Sequence, residues 1–244
     1  TASLNEIVWR HEALRTTFTA VNGQPSQQIA TNVTISLPLE DLQNVPAERR
    51  EAEIARLTAH EARKPFDLQS GSMLRGCLLK LAPAEHRLIL TMHHIASDGW
   101  SRRVLLNELS LLYADFLARE RPSLDPLPIQ YANFAVWQRK WLQEERLNKQ
   151  LNYWKKQLAD APPRLELPTD FPRPATQAYR GKHLSLKVDA VLLEAMKRVS
   201  QQAGATLFMT LLAAFNVLLH RYSRQEDIVS VPPLPTAPAP KLKS

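Results

Sequence analysis

Two neighbouring apolar segments constrain the fold of this chain more than any other feature. Residues 73–82 (MLRGCLLKLA) and 86–94 (HRLILTMHH) are dominated by apolar side chains, and only the short polar connection 83–85 separates them. Runs of this length and composition predict two successive strands. The second strand ends in His93 and His94, so the sequence places two titratable groups at the end of a strand.

Helical periodicity accounts for much of the remaining chain. The predicted helices cover residues 3–14, 45–64, 131–142, 146–158, 190–202 and 206–222, with one more that carries Leu105, Leu109, Leu112 and Phe116 on a single face. Ser3 and Glu6 have the spacing of a capping box at the start of the first helix. The aromatic residues of the helices at 131–142 and 146–158 have core spacing, so they are interpreted as packing residues.

Turn and linker signals divide the chain. Asn22-Gly23 between two β-rich stretches predicts a hairpin, and residues 181–188 and 227–231 have the pattern of strands. The sum is an α/β chain with four predicted parts. These are a first lobe at 1–160, a Pro-rich linker at 161–181, the start of a second lobe at 182–231 and a disordered tail at 232–244.

Composition argues against several classes of function. The net charge of +7 comes from Lys and Arg scattered among acids, which disfavours nucleic-acid binding and equally suits a partner with an acidic surface. Cys77 is the single cysteine, which excludes an internal disulfide and a Cys-based zinc site, and the histidines lack metal-ligand spacing. There is no secretory signal and no apolar run near the roughly 18 residues of a membrane span. We predict a cytoplasmic setting.

The segment after the second strand has the residue types of an active site. Strand alternation puts His93 and His94 on opposite faces, so one points into the fold and the other towards a cleft. A neutral imidazole can accept a proton from a nucleophile. Asp98 either orients that histidine or holds the loop through an ion pair, and Gly99 permits close backbone approach and unusual dihedral angles near an oxyanion.

Four motifs resemble one family. HHIASDG at 93–99 is similar to the H-H-x-x-x-D-G signature of the condensation domains of nonribosomal peptide synthetases. RHEALRTTF at 10–18 resembles their R-H-E-x-L-R-T-x-F motif, and PFDLQSGSMLRGCLL at 65–79 resembles P-F-D-L-x-x-G-P-L-x-R. YANFAVWQR at 131–139 resembles Y-x-D-F-A-x-W, with Asn133 in place of Asp. The flank SDGWS resembles the subtype that joins two L-configured units.

The resemblance implies a chloramphenicol acetyltransferase-like fold, with two lobes and a tunnel between them. Donor and acceptor thioesters would enter on the phosphopantetheine arms of upstream and downstream carrier proteins, with an adenylation domain in the parent chain. It implies no directly bound cofactor and no metal. His94 would assist attack by the acceptor amine, as a base or by positioning it. His93 would be structural, and Asp98 would pair with Arg10 or Arg15.

The resemblance to the condensation domains is incomplete at both ends of the sequence. The family's first motif is missing, and the resemblance stops near residue 231, so we expect a truncated fragment that is weakly active or inactive alone. Apolar faces on 192–203 and 211–222 would then be exposed.

The alternative functions are a module that only docks carrier proteins, and a coenzyme A-dependent acyltransferase of the same fold. The absence of a D-F-G-W-G motif argues against the plant-type branch of the latter.

Overall fold

The computed structural model describes residues 1–172, 176 and 184–230 of the chain. They belong to two compact units, Thr1–Gln143 and Glu144–Ser244. The helices are α1 (Ala2–Arg10), α2 (Ala47–Arg63), α3 (Gly99–Ala118), α4 (Tyr131–Trp141), α5 (Glu144–Gln157), α6 (Ala190–Gln202) and α7 (Leu207–Ser223). The strands are β1 (Thr16–Val21), β2 (Gln24–Ile29), β3 (Leu39–Asp41), β4 (Leu74–Ala82) and β5 (Glu85–Met92). The α/β class is as predicted.

The two apolar segments form the centre of a three-stranded sheet. β4 pairs antiparallel with β5, with Cys77 opposite Ile89, and β3 lies parallel to β4 on its other side. The prediction of two successive strands is therefore confirmed. The second strand ends at Met92, before the histidines, although the backbone N–H of His93 still donates to the carbonyl of Met73 at 3.0 Å.

Alternation along β4 gives the sheet two apolar faces in the first unit. One face carries Cys77, Leu79 and Leu81, which cluster with Ile54 of α2. The other face carries Leu74, which clusters with residues of α1 and α3. Those partners are Leu4, Ile7, Val8, Leu105 and Leu112. Helix α2 therefore covers one face of the sheet, and α1 and α3 cover the other. Helix α3 follows the histidines directly in the chain.

The hairpin before this sheet is also confirmed. β1 and β2 pair antiparallel, with Thr16 opposite Ile29 and Val21 opposite Gln24. Asn22 and Gly23 have φ angles of 52° and 75°. Left-handed conformation at both central residues is what a two-residue turn with the twist of its strands requires, and Asn-Gly adopts it at low cost.

The start of the first unit differs from the prediction in one respect. Ser3 does not cap α1, because the helix begins before it and Ser3 is buried inside the first turn. Thr1 is the N-cap residue and makes no side-chain capping bond. The helix ends at Arg10, where His11 is extended, and a short 3-10 turn, Glu12–Arg15, follows.

The second unit contains the predicted helices. Asp189 and Thr206 cap α6 and α7, and the hydroxyl groups of Ser200 and Thr210 lie 2.7 Å apart between these helices. Apolar side chains on both helices are exposed, as predicted. They include Leu192, Val199, Leu211, Phe215 and Leu218. Within the described chain no single helix is long and apolar enough to cross a membrane; α6 and α7 pass that test only together, with a 102° bend.

Two predicted strands are not formed where the structure describes them. Residues 184–188 and 227–230 are irregular, because the described part of this unit offers them no strand to pair with. The first part of the predicted strand 181–188 lies outside the described residues. So does the predicted tail, 232–244.

Gly76 gives a test of the close packing around β4. A Cβ atom there would lie 3.0 Å from the Ile89 carbonyl oxygen and 3.0 Å from Leu37 Cδ1. We therefore expect Gly76→Ala to lower the free energy of unfolding by about 1–3 kcal/mol, measured by urea denaturation. Gly99→Ala is the control, because a Cβ at Gly99 meets nothing within 4 Å. Equal stability of both variants would contradict this packing.

Candidate active site

The connection from β5 to α3 is folded around His93. The Nδ1 atom of His93 accepts a hydrogen bond from the backbone N–H of Ile95 at 3.0 Å. Its carbonyl oxygen accepts from the Ala96 N–H and the Ser97 hydroxyl, both at 3.1 Å. Since Nδ1 is an acceptor, a neutral ring carries its proton on Nε2. His93 therefore holds the turn that carries the next residue out of the sheet.

The motif at 65–79 also contacts the ring of His93. Phe66 meets it edge to face, with ring centroids 5.5 Å apart. The guanidinium of Arg75 lies 4.0 Å from the centre of the Phe66 ring. Arg75 also pairs with the carboxylate of Glu61 at 3.3 Å and donates to the carbonyl oxygen of Pro65 at 3.0 Å. The segment 65–79 thus fixes the ring through packing as well as through the strand.

His94 is the histidine that faces outwards. It is exposed and lines a cavity of about 180 Å³. Three motifs contribute to the walls, since Ala13 comes from the first, Asp98 from the histidine motif and Tyr131 from the start of α4. Within the described part of the chain the His94 ring makes no hydrogen bond, so both of its nitrogens are available to a bound molecule.

Asp98 is the N-cap residue of α3. Its carboxylate accepts from the backbone N–H and the hydroxyl of Ser101, at 2.8 and 2.7 Å, and the Ser101 hydroxyl accepts from the Asp98 N–H at 3.2 Å. This is a reciprocal capping box. The backbone N–H of Ser101 first, then its hydroxyl, and more weakly the backbone N–H of Trp100, hold the pKa of Asp98 below its usual value.

The expected ion pair of Asp98 is not formed, and Gly99 does not use the unusual dihedral angles that a glycine permits. Asp98 forms no ion pair with Arg10 or Arg15 in the structure, because α3 begins at the next residue and its first turn takes the carboxylate. Gly99 has no left-handed backbone: the glycines with positive φ in the described chain are Gly23 and Gly204. Gly99 is instead an exposed first-turn residue with open space where a Cβ would be.

Arg10 pairs with a residue that sequence reasoning did not select. Its Nε donates to Glu108 Oε1 at 3.2 Å, and the Nε2 of His11 lies 2.6 Å from Glu108 Oε2. Glu108 is buried in α3. The signal was present in the sequence, since Glu108 lies three residues after Leu105 and four before Leu112, on the apolar stripe. A carboxylate on such a stripe needs a partner.

Arg15 fixes the other end of the same motif. Its guanidinium donates to the carbonyl oxygens of Trp9 at 3.2 Å and Ala30 at 2.7 Å, and lies 3.6 Å from the Glu12 carboxylate. These bonds tie α1 to the end of the hairpin. Both arginines therefore hold the segment that supplies Ala13 to the His94 cavity.

Gln130 is a second residue that sequence reasoning missed. Its side chain donates to the Arg10 carbonyl at 2.9 Å and accepts from the Glu12 N–H at 3.2 Å. Its own N–H donates to Asn133 Oδ1 at 2.9 Å at the start of α4. Asn133 thus offers the same kind of acceptor that an aspartate would. Gln130 stands three residues before Asn133, and this spacing of a capping box could have predicted the contact from the sequence.

The thiol of the chain lies away from this cavity. Cys77 is buried on the α2 face of the sheet, and burial, followed by the charges of Glu40 and Glu61, raises its pKa. A raised pKa disfavours the thiolate, which is the nucleophilic form. Among the described residues no group of three or more His, Cys, Asp or Glu side chains is arranged to hold a metal ion.

Comparison with known proteins gives one family. A family model described as Condensation domain matches residues 1–233. A linear gramicidin synthase of Brevibacillus parabrevis is 49% identical over 227 residues, which cover 93% of this chain and 4% of that protein. Malpibaldin synthetase of Mortierella alpina is 44% identical over 227 residues, again 93% of this chain and 4% of that protein. The chain spans only a small part of the length of these relatives.

Solved structures have the same fold. The X-domain from teicoplanin biosynthesis is 30% identical with a TM-score of 0.80, covering 91% of this chain and 48% of that one. The SgcC5 protein from Streptomyces globisporus is 30% identical with a TM-score of 0.71, covering 93% of this chain and 51% of that one. The chain therefore spans about half the length of these structural relatives.

Removal of the Glu108 carboxylate tests the importance of its buried pair. Both side chains of the Arg10–Glu108 pair are largely buried, with 13% and 12% exposure. We expect Glu108→Ala to lower the free energy of unfolding by about 3 kcal/mol, because it leaves a buried guanidinium without its partner. Glu51→Ala is the matched control, because Glu51 pairs with Arg87 at 75% exposure and such pairs contribute about 0–1 kcal/mol. Similar losses for the two variants in denaturant titrations would contradict this ranking.

The cap of α3 gives a prediction that depends on pH. We expect Asp98→Ala to cost about 1 kcal/mol through loss of the cap, and Asp98→Asn to cost less because Asn also caps. Because the pKa of Asp98 is lowered in the folded state, its ionic contribution is complete above about pH 3.9 and is lost as pH falls through the folded pKa.

The difference in free energy of unfolding between the wild type and Asp98→Asn should therefore narrow on acidification from pH 6 to pH 2. Urea titrations at several pH values measure it. A difference that stays constant, or that widens in acid, would show that the carboxylate charge does not stabilise the cap.

Proposed function

This chain belongs to the condensation-domain family, and from that premise we propose that it forms an amide bond between two carrier-bound substrates. The observation that carries the proposal is the position of His94, on a cavity whose walls come from three separated motifs. In the proposed reaction an acceptor amine attacks the carbonyl carbon of a donor thioester. The carbon–nitrogen bond forms, the carbon–sulfur bond breaks, and the donor thiol leaves.

His94 is the proposed catalytic residue. Its exposed ring, which makes no hydrogen bond within the described chain, leaves a nitrogen free to accept a proton from the amine or to hold the amine by a hydrogen bond. Either role needs an imidazole at the cavity wall and a fixed direction of approach. The turn around His93 supplies that direction, because its bonds to residues 95–97 determine where the chain leaves β5.

The other motif residues are proposed to position His94 rather than to contact substrate. Asp98 caps α3 and ends the loop, and Gly99 keeps the start of the helix free of side-chain atoms. Arg10 and Arg15 hold the first motif against α3 and the hairpin. Together they keep Ala13 and Tyr131 at a constant distance from the reacting nitrogen.

The proposed partners follow from the relatives named above, whose names describe synthases and synthetases of far greater length. We expect upstream and downstream carrier proteins to deliver the thioesters on phosphopantetheine arms, with an adenylation domain in the parent chain. The net charge of +7 suits partners with acidic surfaces. The assignment of residues 1–160 and 182–231 to two lobes, joined by a linker at 161–181, remains part of this proposal.

Substitution of His94 tests the proposal. In the full-length parent protein, with one donor-loaded and one acceptor-loaded carrier, we expect His94→Ala to reduce product formation by about 100-fold or more, because proton transfer by a positioned histidine contributes about that much. Mass spectrometry of the acceptor carrier measures the product. His86→Ala is the matched control, since His86 is an exposed histidine near the opposite end of β5.

Carrier binding, measured by calorimetry, separates catalysis from docking. The proposal expects His94→Ala to bind both carriers as the wild type does. An unchanged product yield with His94→Ala would contradict the catalytic role of His94. A wild type that binds both carriers and gives no product would leave a docking module as the function.

A further inference from the structure

A second cavity adjoins the His94 cavity. It has a volume of about 200 Å³, and the two cavities share the lining residues Ala13, Ile95 and Tyr131. Ile95 directly follows His94 in the chain and lines both cavities, so the second cavity adjoins the part of the first that carries His94. We call it the hairpin cavity, because β1 and β2 form its far wall through Thr16, Phe18, Gln27 and Ile29.

The walls of the hairpin cavity are mainly apolar. Phe18, Ile29 and Ile95 supply large side chains, and the hydroxyl of Thr16 is already donated to the Glu12 carbonyl at 2.7 Å. The charged member of the lining is Glu12. A cavity with these walls favours an apolar occupant.

The size of the cavity is that of a large amino-acid side chain. An apolar cavity of about 150 Å³ accommodates benzene, so about 200 Å³ accommodates a branched aliphatic or an aromatic side chain. A substrate side chain can therefore enter while the groups that react stay at His94.

Ala13 lies at the junction of the cavities. It lines the His94 cavity, the hairpin cavity and a third one of about 160 Å³ beside Trp100. Its neighbours Glu12 and Leu14 are held by Gln130 and by the core, so Ala13 is presented by a fixed backbone. Because Ala13 lines all three cavities, a larger side chain at this position would take up space in them.

Several lining residues stand at positions that the quoted motifs leave unspecified, written as x. We call these the open positions. Ala13, Ile95 and Ala132 occupy open positions of three different motifs, and all three line the hairpin cavity. The specified residues beside them, such as Arg10 and Asp98, make the bonds that hold the backbone. The backbone can therefore stay constant while the cavity changes size, as a selectivity pocket requires.

We propose that the hairpin cavity receives the side chain of the acceptor aminoacyl unit, and that Ala13 and Ile95 set the size of side chain accepted. This inference rests on the proposed function. The acceptor is the substrate whose nitrogen meets His94, and its Cβ lies two bonds from that nitrogen, closer than the Cβ of the donor. Apolar side chains as large as phenylalanine fit, and the apolar walls disfavour the charged side chain of aspartate.

Two variants change the cavity in opposite directions. Ala13→Leu adds side-chain volume to the lining of the hairpin cavity, and Ile95→Ala removes volume from it without removing the Ile95 N–H that donates to His93. Each is assayed with one donor and with alanyl, leucyl, phenylalanyl and aspartyl acceptors on the carrier. Ala52→Leu is the matched control, since Ala52 is exposed on α2, outside the lining of these cavities. Circular dichroism checks that each variant is folded.

The expected result is a change in selectivity between acceptors. The wild type should use leucyl and phenylalanyl acceptors at least about tenfold better than the aspartyl acceptor. Ala13→Leu should lower the phenylalanyl rate relative to the alanyl rate by about tenfold or more, and Ile95→Ala should favour the largest side chain. Equal effects on all acceptors, or a selectivity change that follows the donor side chain instead, would overturn the proposal.

Binding separates failure of this inference from failure of the proposed function. Non-reactive pantetheine amides of alanine and phenylalanine are titrated into each variant and followed by calorimetry. If no acceptor gives product with the wild-type sequence in the full-length parent protein, the proposed function fails. The side-chain pocket still stands if Ala13→Leu weakens the phenylalanine amide alone, and it is overturned if both amides weaken equally or neither binds the wild type.

Discussion

The buried carboxylate of Glu108 is the group on which the arrangement of the first unit depends. It accepts from Arg10 and from His11, the last residue of α1 and the residue that follows it, while lying on the inner face of α3. Burial removes water from all three side chains, so each needs the others as partners. This requirement fixes the distance between α1 and α3, and with it the place where the first motif meets the histidine loop.

The histidine loop depends on a smaller set of bonds of the same kind. His93 closes the turn after β5 through its ring nitrogen and its carbonyl, and Asp98 starts α3 through Ser101. Between these two fixed points the chain has few conformations available. His94 is therefore held at the cavity although its own side chain is exposed and makes no hydrogen bond within the described chain.

Several features could be predicted because they depend on local sequence. The Asn22-Gly23 turn, the two strands after residue 72 and the helices at 190–202 and 207–223 follow from residue preferences and periodicity. The prediction of a strand in 227–231 failed, because a strand also needs a partner, and the described part of that unit provides none. The cap at Ser3 failed because the first turn of α1 is buried.

The sequence by itself determined the family, the α/β class and the choice of His94 over His93 as the proposed catalytic residue. Only the tertiary structure decided the partners of the charged groups. Asp98 was expected to pair with an arginine, yet Ser101 takes its carboxylate and Glu108 takes Arg10. The physical reason is that a charge pairs with whichever group burial and a helix end bring within about 3 Å, and residues 98 positions apart along the chain meet only after the core has packed.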